Sequence, residues 1–137
     1  MKRFDLVKTS RKLRAALAVV LLLVGSAAAP AKGVNRKVRF PRGSTSTTID
    51  GAVARGDRDR YTIAAKAGQR MTVGLVSLEN NAVFQIYRPG GKRALASAGT
   101  GDDAANWEGE LPATGAYVIV VGGTRGGAEY SLSISIE

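Results

Sequence analysis

The sequence contains no histidine and no cysteine among its 137 residues. Histidine is the commonest general base and metal ligand, and cysteine supplies thiol nucleophiles and zinc ligands, so the usual catalytic and zinc-binding chemistry is missing. Serines are frequent, but none lies in a G-x-S-x-G turn, and nothing points to a Ser–Lys dyad. Without cysteine the fold has no disulfide and depends on its apolar core. The sequence therefore predicts a protein that is not an enzyme and carries no cofactor.

Aromatic residues are also scarce, at 6% of the chain. No basic stretch is interleaved with aromatic side chains, which is the pattern that stacks on bases, so we expect no nucleic-acid partner.

Carboxylates occur in three close pairs, and each pair has a functional and a structural interpretation. Paired carboxylates can cleave a glycosidic bond across a cleft, and hard oxygen ligands can bind calcium, whereas aspartate is also common in turns. Turn capping and solubility are favoured for all three pairs, because aspartate is common in turns and so small a protein offers little cleft. Calcium binding remains an alternative for the first pair, although arginines alternate with these two aspartates along the chain and oppose a bound cation. The pairs are Asp57 with Asp59, Asp102 with Asp103, and Glu108 with Glu110.

The single long apolar run, residues 15–24, is short for a membrane span. It follows a basic start and precedes a small-residue stretch that ends in Ala29-Pro30-Ala31, which together are the parts of a secretory signal peptide. We expect residues 1–31 to be a cleaved signal peptide, with cleavage after Ala31 favoured over Ala29. Residues 32–137 then form one domain in the periplasm or outside the cell, without a stable membrane anchor. The leader holds six of the 20 basic and one of the 11 acidic residues, so the net charge falls from +9 to +4.

Alternation of apolar and polar residues dominates the exported part. At the chain end, Tyr130, Leu132, Ile134 and Ile136 alternate with serines, as in a strand with one buried face. The exported part contains about eight or nine such short strands, separated by turns. This pattern predicts an all-β fold, a single antiparallel β-sandwich with Greek-key or jelly-roll connections. The predicted strands are 34–40, 47–53, 60–66, 70–78, 82–87, 93–98, 106–111, 117–121 and 129–136.

The sequence also predicts which strand is central, which segment is a loop and which side chains form the core. Residues 117–121 are nearly all apolar, which predicts a central strand covered on both faces, and residues 96–105 are small and polar, which predicts a mobile loop. The predicted core consists of Val53, Tyr61, Ile63, Met71, Val73, Leu75, Phe84, Ile86, Trp107, Leu111, Tyr117, Ile119, Val121, Tyr130, Leu132 and Ile134.

Two segments resemble the bacterial pre-peptidase C-terminal domain. Residues 56–69 (GDRDRYTIAAKAGQ) are similar to its G-D-x-D-x-Y…A-x-A-G-Q segment, and residues 111–121 (LPATGAYVIVV) to its L-P-A-x-G-x-Y segment. That family has a β-sandwich fold, in agreement with the strand pattern.

Within that group the sequence is similar to the periplasmic inhibitors of goose-type (g-type) lysozyme. The likeness lies in the lone domain behind a signal peptide, in residues 38–44 (VRFPRGS), in residues 81–84 (NAVF) leading to Pro89-Gly90, and in residues 124–128 (TRGGA). The last segment matches the family's T-R-x-x-A loop between the final two strands. The family loop usually continues to a second arginine, and its G-Y-D stretch has tyrosine where this chain has Gly56-Asp57-Arg58.

The resemblance implies a protein partner, goose-type lysozyme, whose catalytic glutamate lies in a long sugar-binding groove. Arg125, flanked by glycines, would pair with an active-site carboxylate, with Thr124 and Gly126 beside it and Arg88 as a second contact. If the longer loop and the tyrosines make the family's contact, this chain keeps the scaffold without the activity.

A second hypothesis is a non-catalytic binding module for cell-wall polysaccharide or a secreted protein. Trp107 is the one candidate sugar platform, although a tryptophan on a strand is more often in the core. The two hypotheses differ in whether Arg125 or Trp107 is the exposed side chain.

Overall fold

The computed structural model describes residues 33–137, so the predicted signal peptide lies outside the described residues. The described part contains eight strands and no helix. In chain order the strands are β1 (Asn35–Lys37), β2 (Ser46–Val53), β3 (Asp59–Ala65), β4 (Arg70–Ser77), β5 (Ala82–Tyr87), β6 (Asn106–Glu110), β7 (Gly115–Gly123) and β8 (Ala128–Ile136). The all-β prediction is therefore confirmed.

The strands form two four-stranded sheets that pack as a sandwich. One sheet has the order β1-β3-β7-β5 and the other β2-β8-β4-β6. All pairings are antiparallel except that of β1 with β3, which is parallel, so the predicted antiparallel sandwich is correct in all but one edge strand.

Strand β7 is central in its sheet, as predicted, but its outer face has no second layer. Tyr117, Ile119 and Val121 point into the core, where none is more than 1% exposed. On the outer face Val118 is half-buried and Val120 is buried. Side chains of the neighbouring strands and loops, rather than a second layer, surround these two valines in a shallow groove lined by Arg58, Arg60, Gln85, Tyr87 and Gly91.

Alternating side chains of the two inner faces make the core. Every predicted core residue is buried except Trp107, which is half-buried and packs against the core from the edge strand β6. Its indole Nε1 donates a hydrogen bond to the carbonyl of Ala96 at 2.8 Å.

The predicted strand 93–98 is wrong. Ser97 has a φ of 65°, which a regular strand does not tolerate, and the segment is coil. Within the loop predicted to be mobile, Ala98 and Ala104 are buried, and their carbonyls accept hydrogen bonds from the amides of Ile86 (2.9 Å) and Phe84 (2.8 Å). The loop thus covers the edge of β5 that would otherwise have unpaired backbone groups.

A buried polar cluster connects the two sheets. Asp59 of β3 is 2% exposed. Its Oδ1 accepts a hydrogen bond from the Val34 amide (2.9 Å), and its Oδ2 accepts one from the Tyr130 hydroxyl of β8 (2.6 Å). The Tyr61 hydroxyl lies 2.5 Å from that of Tyr130. Burial raises the pKa of Tyr61 and of Tyr130, and donation to Asp59 raises that of Tyr130 further. Both hydroxyls therefore stay protonated at neutral pH.

Candidate functional site: the arginine loop

The candidate site is the loop between β7 and β8, residues 124–127, which we call the arginine loop. Two glycines have a steric reason to be there. A Cβ on Gly123 would lie 2.2 Å from the carbonyl oxygen of Gly126, and Gly126 has a φ of +81°. Glycine alone meets the first requirement, and it meets the second without strain. The glycines around Arg125 thus allow a tight turn.

Asn81 holds the arginine loop at both ends. Its backbone carbonyl accepts a hydrogen bond from the Thr124 amide at 2.8 Å, and its side-chain Nδ2 donates to the Gly127 carbonyl at 2.9 Å. Asn81 is only 3% exposed, and its own amide donates to Ser77 Oγ at 3.0 Å. A buried asparagine whose side chain and backbone hydrogen-bond to the same loop fixes a local conformation, because breaking these bonds leaves buried polar groups unpaired. The arginine loop is therefore preformed.

Arg125 lies exposed on this loop. Its Nη2 donates to the backbone carbonyl of Glu79, in the turn between β4 and β5, at 2.9 Å. Within residues 33–137 the one ion pair is Arg70 with Glu108, so no carboxylate of the described part neutralises Arg125, and Glu129 does not bind it. A guanidinium has five N–H donors, and most of those on Arg125 remain available to a partner.

Arg88 does not share this surface. β5 begins at Ala82, opposite Gly123 beside the arginine loop, and ends at Tyr87, opposite Val118. Arg88 follows Tyr87, so about six residues of extended chain, roughly 20 Å at 3.3 Å per residue, separate it from the end that carries Arg125. The two arginines that the sequence grouped together lie at opposite ends of the sandwich.

One carboxylate of each candidate pair has a structural partner. Asp59 uses both carboxylate oxygens in the buried cluster. Asp102 Oδ2 accepts a hydrogen bond from the Gly99 amide at 2.7 Å, and Glu108 pairs with Arg70 at 2.7 Å. Across residues 33–137 no group of three or more potential ligands is placed to hold a metal ion. The same residues include no helix that could cross a membrane.

Trp107 is a poor sugar platform in this arrangement. One side of its ring packs over Gly109, where a Cβ would come within 2.8 Å of the indole, and Nε1 is engaged by Ala96. The side chain closes the edge of the core, so no observation favours polysaccharide binding at this residue.

Sequence reasoning did not identify Asn81 as the residue that holds the loop. The signal was present in retrospect, since an asparagine directly before an apolar strand is well suited to a turn that hydrogen-bonds a neighbouring loop. Which loop it holds follows only from the pairing of β5 with β7.

Comparison with solved structures identifies the fold group. PliG from Aeromonas hydrophila, a periplasmic lysozyme inhibitor of g-type lysozyme, is 34% identical over 77% of this chain and 98% of its own, with a TM-score of 0.64. A mutant of PliG from Escherichia coli, with the same description, is 26% identical over 77% of this chain and 99% of its own, with a TM-score of 0.62.

A more distant neighbour shares the fold alone. The pre-peptidase C-terminal domain of collagenase from Bacillus anthracis is 17% identical over 78% of this chain and all of its own, with a TM-score of 0.56. No protein-family model matches the chain, and the search of curated proteins gave no match. From its likeness to PliG over nearly the whole of that protein, the chain belongs to the family of periplasmic lysozyme inhibitors of g-type lysozyme.

Proposed function

We propose that this protein is a non-catalytic inhibitor of g-type lysozyme that is exported to the periplasm and blocks the active-site groove with its arginine loop. Family membership supports the class of partner, since the PliG proteins are described as inhibitors of g-type lysozyme. The observation that carries the mechanism is the exposed guanidinium of Arg125 on a loop held by a buried asparagine.

Charge chemistry explains why an arginine suits this role. Glycoside hydrolases cut their substrates with carboxyl groups, and a planar guanidinium pairs with a carboxylate through two parallel hydrogen bonds. Such bidentate pairs are stronger than those of a lysine ammonium in the same place. In the proposed complex, Arg125 forms an ion pair with a carboxylate in the lysozyme groove and so excludes the sugar chain from the groove.

Preorganisation of the loop favours binding. An ordered loop loses little conformational entropy when it docks, so more of the contact energy appears as affinity. Asn81 fixes the backbone on both sides of Arg125, and the Glu79 carbonyl orients the guanidinium. Exposed Thr124 and the small Gly126 are the proposed neighbouring contacts, because neither hides the backbone from a partner.

Arg58 is a second cation near the base of the loop. Its side chain lies across Gly122, where a Cβ would come within 2.8 Å of Arg58 Cδ, Nε and Cζ. Arg58 and Thr124 line the same shallow groove. In this chain, whose loop is short, Arg58 adds positive charge beside Arg125 for the acidic groove of the target.

The test is lysis of a bacterial cell-wall suspension by a g-type lysozyme in the presence of residues 32–137. Chicken-type and invertebrate-type lysozymes serve as specificity controls. We expect inhibition of the g-type enzyme alone. Arg125→Ala should weaken inhibition by roughly thirtyfold or more, as expected for a central arginine worth about 2 kcal/mol.

Arg88→Ala is the matched control, because it removes an arginine from the opposite end of β5 and should inhibit like the wild type. Full inhibition by Arg125→Ala would refute the role of the loop. Loss of inhibition in Arg88→Ala, with Arg125→Ala unaffected, would place the contact at the other end of the sandwich.

A further inference from the structure

Leu78 is the most exposed large apolar residue of the described chain, at 91%, and Val76 is 71% exposed. Residues 33–137 expose one other large apolar side chain, Val34, at 48%. Val76 lies on the outer face of its sheet, opposite Ser131 of β8, and Leu78 comes directly after the end of β4. Leucine is among the most often buried residues, so a fully exposed one beside an exposed valine gains nothing for the fold. We call this pair the apolar ridge.

Hydrogen bonds join the apolar ridge to the arginine loop. Leu78 directly precedes Glu79, whose carbonyl accepts the hydrogen bond from Arg125. On the other side of the same turn, Asn81 is bonded to Thr124 and Gly127. An exposed leucine and an exposed arginine are therefore carried by one cross-linked pair of loops.

The shape of the surface continues across the two loops. Leu78 borders a groove of about 200 Å³ whose opposite wall is residues 127–129, the end of the arginine loop and the start of β8. Leu78 and Val76 also line a shallower depression of about 790 Å³ beside Ala52 and Ser131. A partner that binds Arg125 therefore contacts apolar surface beside the arginine loop.

We propose that Leu78, backed by Val76, is a second anchor for the same lysozyme and packs against an apolar patch on the rim of its groove. This inference rests on the proposed function. The fully buried centre of a protein interface is more apolar than its rim, and apolar contacts that surround a central arginine exclude water from it. Leu78 directly precedes Glu79, whose carbonyl holds the guanidinium of Arg125, so a partner seated on the arginine loop is the occupant that reaches the apolar ridge.

The test is the dissociation constant for g-type lysozyme of the wild type and of Leu78→Ser, together with their thermal unfolding. Because Leu78 has almost no contact with the fold, the melting temperature of Leu78→Ser should equal that of the wild type. Its affinity should fall about tenfold or more, the loss expected when a buried leucine is removed from an interface. Val34→Ser, a matched change of an exposed apolar residue on the β1 edge, should bind like the wild type.

The possible outcomes distinguish failure of this inference from failure of the proposed function. If Leu78→Ser binds like the wild type while Arg125→Ala binds weakly, the ridge is not a contact and the proposed function stands. If the wild type itself does not bind, both proposals fall. If the wild type is a dimer in solution and Leu78→Ser is a monomer of unchanged lysozyme affinity, the ridge contacts a second copy and the inference is wrong.

Discussion

Replacing Asn81 with alanine is expected to loosen the arginine loop while leaving Arg125 in place. The substitution removes the hydrogen bond from Asn81 Nδ2 to the Gly127 carbonyl, but the backbone bond from Thr124 to residue 81 remains. One end of the loop is thus released and the other is held.

The magnitude follows from this contact. A partly buried hydrogen bond contributes about 1 kcal/mol, and loss of the amide group from the 3% exposed Asn81 leaves a gap in the packing whose cost is up to about 1 kcal/mol. We expect the free energy of unfolding to fall by about 1–2 kcal/mol. At roughly 4–8 °C per kcal/mol for a domain of about a hundred residues, the melting temperature falls by around 10 °C.

Two assays test this prediction. Thermal unfolding by circular dichroism measures stability, and inhibition of g-type lysozyme well below the melting temperature measures the effect on the loop. We expect inhibition to weaken because the released loop must be ordered on binding. Asn106→Ala, an exposed asparagine on β6, is the control and should change neither property. Wild-type inhibition by Asn81→Ala, together with its lowered stability, would show that loop order does not contribute to binding.

The remaining predictions concern the buried polar cluster. Tyr130→Phe removes the donor to Asp59 and leaves that buried carboxylate short of one partner, so the free energy of unfolding should fall by about 2–3 kcal/mol in urea titrations; an unchanged urea midpoint would contradict the described contact. Alkaline pH should act on the same cluster, because burial raises the pKa of Tyr61 and Tyr130 above the ordinary value for tyrosine. The free energy of unfolding should be constant up to about pH 10. It should fall above that pH, since the unfolded chain then loses protons that the folded chain retains. Urea midpoints measured from pH 8 to pH 11 check this, and the decline should be shallower in Tyr130→Phe.

The strands and the core could be predicted from the sequence because their signal is local. Alternation at positions such as Leu132 and Ile134 determines both the strand and its buried face, and these residues are buried as expected. The same reasoning wrongly predicted a strand at residues 93–98. Leu95 does point into the core, but Ser97 adopts a positive φ, and the backbone pairs with β5 only at separate points.

The candidate site was harder to predict because it depends on pairing between distant strands. The sequence indicated Arg125 and its glycines, yet it also joined Arg88 to them, since nothing local shows that β5 runs from one end of the sandwich to the other. The role of Asn81 likewise follows from its hydrogen bond to the arginine loop, and the place of Leu78 beside that loop follows from the fold, so neither could be derived from sequence neighbours.

The measurement that tests the central claim most directly is steady-state inhibition of a g-type lysozyme by residues 32–137 at several concentrations of cell-wall substrate. If the arginine loop occupies the groove, inhibition is competitive, so raising the substrate concentration relieves it. Absence of inhibition at micromolar protein, or inhibition that does not depend on substrate concentration, would contradict the account.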